Sequence, residues 1–155
     1  MIVFSLSVFL GITNIYLIRN QLADLRDHKN SLNFINNDDK KAMNWLKRNK
    51  TGSMIILSDA IYSPILPVFT QSLVYFGLNF IDLATINYGV KANHVINFFF
   101  KDTDRQRKEF LKTNNISYLF IGTKNKDTED YIIWESKKYL QKVYDAGGAK
   151  IFKVL

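Results

Sequence analysis

Ser53–Gly77, SMIILSDAIYSPILPVFTQSLVYFG, decides how the rest of the chain is read. Its first apolar run, Met54-Ile55-Ile56-Leu57, is too short for a free-standing helix and its isoleucines suit a buried strand. A second run, Leu73-Val74-Tyr75-Phe76, closes at Gly77. Between them, Asp59–Gln71 carries Pro64 and Pro67, the two prolines of the protein. Two buried strands joined by a crossover make a parallel α/β unit, and the loops at its strand C-ends commonly hold ligands. Asp59 and Gly77–Asn79 fall in those loops.

The 155 residues, 47% apolar and 14% aromatic, give room for one domain with a real core and exclude a disordered chain. The absence of cysteine excludes disulfides, thiol nucleophiles and cysteine-bearing metal sites. His28 and His94 lie far apart, which argues against a multi-histidine metal site, and no cofactor is expected. The net charge of +7 raises the question of nucleic acid. Residues 19–50, however, hold eight Lys/Arg against four Asp/Glu, and residues 101–155 hold twelve against eight. Interspersed signs of this kind mark solvated helix faces, so no nucleic-acid partner is expected.

Residues 1–18, MIVFSLSVFLGITNIYLI, carry no charged side chain, and Arg19 ends the run. That length just suffices to cross a bilayer core. A signal peptide is the main rival, but no basic residue precedes the run and no A-x-A-like site follows it. A buried core helix is the third reading. The preferred division is a transmembrane helix over 1–19, a juxtamembrane linker over 20–37 and a soluble α/β domain over 38–155. Arg19, Arg26 and Lys29 follow the span, and the positive-inside rule leans towards a cytoplasmic domain. Ala60–Ile81 is also uncharged, but Pro64, Pro67, Gln71, Gly77 and Asn79 favour a buried strand–helix–strand unit over a second span.

Elsewhere the punctuation is clear. Asn36-Asn37-Asp38 caps a helix over Asp39–Asn49, with Ala42, Trp45 and Leu46 on one face. Gly89 breaks the chain before a helix over Val90–Phe100, whose bulky residues are Val95, Ile96, Phe98, Phe99 and Phe100. Asp102-Thr103-Asp104 caps Arg105–Asn114, which buries Phe110 and Leu111. Ile116–Ile121 is a strand closed by Gly122. Glu129–Lys138 reads as a short helix buried through Ile132, Ile133 and Tyr139. Leu140–Tyr144 and Ala149–Val154 form a hairpin around Gly147-Gly148. The fold class is therefore α/β: a three-layer, Rossmann-like domain with parallel central strands and a C-terminal antiparallel hairpin.

Three stretches carry a family resemblance. They are Ala42-Met43-Asn44-Trp45-Leu46 before Met54–Leu57, then Leu66-Pro67-Val68-Phe69-Thr70 leading to Val74-Tyr75-Phe76-Gly77, then Phe98-Phe99-Phe100 before Asn115–Gly122. Together they resemble the soluble C-terminal domain of polytopic membrane glycosyltransferases of the GT-C type. The resemblance implies a last transmembrane helix entering a small α/β domain on the extracytoplasmic face, against the positive-inside leaning. It also implies a lipid-linked sugar donor, a glycan acceptor and the lipid bilayer as partners. The catalytic acidic residues of such enzymes lie between early transmembrane helices, so none is carried over to this chain. A stand-alone membrane-anchored module for a protein or polysaccharide partner is the alternative.

For ligand contact the candidates are Asp59, Tyr62, Tyr75, Asn79 and Asp82, since carboxylates beside aromatic rings suit sugars. Each has a plainer reading: Asp59 as a helix cap, Tyr75 as core. His94 reads as a packing residue. Asn49-Lys50-Thr51 and Asn115-Ile116-Ser117 fit the glycosylation sequon, but the second runs into a strand, which leaves Asn49.

Overall fold

The computed structural model describes residues 35–77, 87–125 and 134–155, and residues 36–155 belong to one compact unit. The span assigned to residues 1–19 lies outside the described residues. Among the described residues no helix is long and apolar enough to cross a membrane.

Helix α1, Asn37–Arg48, starts where the Asn36 side chain accepts the Asp38 amide at 3.2 Å. Asp38 and Asp39 occupy its first turn and Lys47 and Arg48 its last, the order the helix dipole favours. Ala42, Met43 and Leu46 are buried. Its Trp45 ring meets Tyr118 at 6.3 Å and Tyr144 at 5.9 Å between ring centres.

The decisive stretch folds into β1 (Ile55–Leu57), α2 (Leu66–Thr70) and β2 (Leu73–Val74). The two strands are parallel, with Ile55 opposite Leu73 and Ile56 opposite Val74. The crossover is mostly turn: the helix is five residues long and ends at Gln71 in the left-handed region, φ 55°. The second strand is not buried as expected. It forms the sheet edge, and Leu73 is 61% exposed.

Helix α3, Asn87–Phe100, begins earlier than expected, and Gly89 lies within its first turn instead of breaking the chain before it. Only part of its bulky set turns inward. Successive helical residues are about 100° apart, so Val95, Phe98 and Phe99 are buried while Ile96 and Phe100 are exposed. Helix α4, Asp104–Thr113, is fixed by a capping box between Thr103 and Gln106. Arg107 donates to the carbonyls of Phe98 (2.7 Å) and Phe99 (3.4 Å), two acceptors that α3 leaves open at its end. The same guanidinium lies 5.0 Å from the centre of the Trp134 ring.

Strands β3 (Ile116–Ile121), β4 (Leu140–Ala146) and β5 (Ala149–Val154) complete a mixed sheet in the order β2-β1-β3-β5-β4. The first three are parallel, and β5 and β4 continue the sheet antiparallel. Gly147 and Gly148, at φ 60° and 98°, supply the positive dihedrals that a two-residue hairpin needs. A register shift between Lys142 and Tyr144 bulges β4. Within the helix expected over Glu129–Lys138, residues 134–136 form a single 3-10 turn, and residues 129–133, with Ile132 and Ile133, lie outside the described residues.

Alternation along β3 separates the two faces of the sheet. Leu119 joins the cluster of Phe98, Phe99, Leu111, Trp134 and Phe152, where Trp134 stacks on Phe98 at 5.2 Å with the planes 9° apart. Phe120 points the other way and meets the Tyr62 ring at 5.2 Å.

Candidate functional site

The C-terminal end of the parallel strands is closed by a buried polar network. Asp39, in the first turn of α1, is fully buried. Its carboxylate accepts the Tyr62 hydroxyl at 2.9 Å, the Thr123 amide at 2.8 Å and the Thr123 hydroxyl at 2.8 Å. The Tyr62 hydroxyl in turn accepts the Lys124 amide at 3.0 Å. Three segments distant in sequence, α1 and the turns after β1 and β3, are thereby tied at one point. Three donors and the positive end of a helix compensate the buried carboxylate, which has no paired cation among the described residues. Burial is the main cause that pushes the Tyr62 hydroxyl up to about 12. At neutral pH that hydroxyl stays protonated and acts as a donor.

Gly122 makes this closure possible. The Tyr62 ring lies so close over it that a Cβ at position 122 would overlap the ring atoms. Beneath the network, buried Ser58 donates to the Phe120 carbonyl at 3.0 Å and Ser63 to the Ser58 carbonyl at 3.1 Å.

Of the residues expected to contact a ligand, Asp59 and Tyr62 are brought together, through backbone. One Asp59 carboxylate oxygen accepts the amides of Ile61 and Tyr62, both at 3.0 Å, and so caps the crossover turn. Tyr75 sits apart from them. Its ring packs edge-on against Phe110 at 4.9 Å, on the Leu119 side of the sheet, and its hydroxyl lies 2.9 Å from His94 Nδ1. Burial raises its pKa. The two tyrosines therefore do not line one cleft. Asn79 and Asp82 lie outside the described residues.

The opposite end of the sheet is open. A groove of about 940 Å³ runs past the start of β3, where α1 and α4 both end. Trp45, Tyr118 and Tyr139 contribute aromatic surface to it, and Lys108, Lys112 and Lys153 contribute charge. Lys108 and Lys112 are one helical turn apart on α4, and Lys153 pairs with Tyr118 across β3 and β5. Tyr139 is pushed up to about 12, first by burial and then by the nearby Asp104 charge. Sequence reasoning missed this groove because its walls come from five elements. The one local signal was the i, i+4 lysine pair.

Asn49 caps α1, and its side-chain amide donates to the Trp45 carbonyl at 2.9 Å. Among the described residues no group of three or more histidines or acidic residues is placed to hold a metal ion.

No family model matches this sequence, and no curated protein matches it. Among solved structures, the chain is similar to the C-terminal globular domain of an oligosaccharyltransferase from Archaeoglobus fulgidus. The match has 15% identity and a TM-score of 0.56, and it covers 79% of this chain and 99% of that one. At the level of fold, the chain is thus like the C-terminal globular domain of a glycan-transferring enzyme, as the three sequence stretches implied.

Proposed function

We propose that this chain is the C-terminal region of a GT-C-like membrane glycosyltransferase, without catalytic residues of its own. In this reading residues 1–19 are a membrane span. The domain that follows is a three-layer, Rossmann-like accessory module on the extracytoplasmic face. It supports binding of the glycan acceptor or the lipid-linked sugar donor at the membrane surface. The observation that carries the reading is the fold likeness to an oligosaccharyltransferase C-terminal domain, which extends over nearly all of that domain. The uncharged run Met1–Ile18, ahead of the linker and the domain, agrees with it.

An antibody raised against the domain, used on membranes of the source cells, tests the proposal. The expected result is a band much larger than the 18.0 kDa of this chain that stays in the pellet on carbonate extraction. A band of 18 kDa released to the supernatant would sink the proposal. A band of that size retained in the pellet would favour the stand-alone anchored module.

A further inference from the structure

We infer that the groove at the N-terminal end of β3 is a binding site for an acidic oligosaccharide. The inference concerns the end of the sheet away from Asp59 and Tyr62, and it does not depend on the chain serving a glycosyltransferase.

Three ammonium groups line the groove, and among the described residues none that line it is Asp or Glu. Lys108, Lys112 and Lys153 make no ion pair among the described residues, whereas Lys137, Lys142 and Lys150 are each held by a carboxylate. Negative terms do act here. The ends of α1 and α4 each contribute about half a negative charge. A carboxylate on Leu155 would add a full one. Asp104, beside Tyr139, is matched by its own partners Arg107 and Lys137. The remaining sum falls below three positive charges, so the groove attracts anions.

Shape and surface select among anions. The volume is that of a small-molecule site, for which roughly 300–1,000 Å³ is usual. A membrane presents a flat face and a nucleic-acid duplex a convex one, and neither fills a concavity bounded by two helix ends. Trp45 and Tyr118 are half-buried and supply apolar ring surface, while Gln141 and Asn115 supply paired donors and acceptors. Ring surface for the faces of pyranoses, amides for their hydroxyls and ammonium groups for carboxylates form a matched set.

Isothermal titration of the whole chain in detergent micelles tests the site, with oligogalacturonate as probe and a neutral malto-oligosaccharide of equal length as control. The acidic oligomer should bind at least about tenfold more tightly than the neutral one. Lys108→Glu with Lys112→Glu should weaken it by a further factor of about ten, and Lys153→Gln alone by a smaller factor. Both changes are at exposed positions, and an unchanged melting temperature confirms that folding is intact. Three results would overturn the inference. They are equal binding of both oligomers or of neither, indifference to the lysine changes, and equal displacement by inorganic polyphosphate, which marks a generic cationic surface.

Discussion

At one end of the sheet, Asp39, Tyr62 and Thr123 satisfy one another's hydrogen bonds inside the protein. At the other end, Lys108, Lys112 and Lys153 face a groove without an ion-pair partner among the described residues. Parallel α/β sheets commonly hold ligands beyond the C-terminal ends of their strands, and the first end is that one. Here, among the described residues, a tyrosine ring lies on a glycine. The contrast teaches that polar side chains at one end of a sheet can join segments to one another while charges at the other end face solvent. Residues that look reactive by type, an aspartate and a tyrosine, serve at the closed end to hold segments together.

The largest expected effect comes from breaking the closed end at its centre. Asp39→Ala leaves the Tyr62 hydroxyl and both Thr123 donors without their acceptor, and an unsatisfied buried donor costs roughly 1–3 kcal/mol. A loss of about 3 kcal/mol or more is expected in urea unfolding. A loss under about 1 kcal/mol would mean that water readily replaces the network. Gly122→Ala comes next, at about 2 kcal/mol, because the methyl group must displace the Tyr62 ring from a close-packed position.

Tyr62→Phe keeps the ring and removes one donor, for roughly 1–2 kcal/mol at neutral pH. It also carries a pH signature. The folded-state pKa near 12 exceeds the ordinary value of 10.0, so between those values the unfolded chain loses its proton first. Stability should therefore fall as pH rises from about 10 to 12, and the phenylalanine variant should fall less steeply. Tyr139, also near 12, contributes to the same window and leaves a residual slope in that variant.

The smallest effect is expected at the open end. Lys108→Glu with Lys112→Glu should alter stability by no more than about 0.5 kcal/mol, as exposed substitutions usually do. A large destabilisation there would show that the groove lysines hold the fold, and the contrast between the two ends would disappear.

Much of the frame was legible in the sequence because its signals are local. Met54–Leu57 and Ile116–Ile121 are short apolar runs bounded by turn residues, and Thr103 with Gln106 is a capping box visible by spacing. The closed end was not legible. Asp39 reads as an ordinary first-turn acid, and its burial depends on Tyr62 and Thr123, 23 and 84 positions away. Phe98, Phe99 and Phe100 read alike as bulky residues of the helix, but helical geometry buries the first two and turns Phe100 outward. The burial of Trp134 was not legible because it comes from Phe98 and Arg107, which lie on two helices distant in sequence. The exposure of Leu73 follows from the edge position of β2, which is set by strand order.

Amide hydrogen exchange at Thr123 and Lys124 tests the closed end most directly. Both amides follow the last residue of β3, where loop amides ordinarily exchange fast. Their bonds to Asp39 and to the Tyr62 hydroxyl predict protection close to that of the β3 amides, lost in Asp39→Ala. Exchange of both amides at loop rates in the unaltered protein would contradict the account.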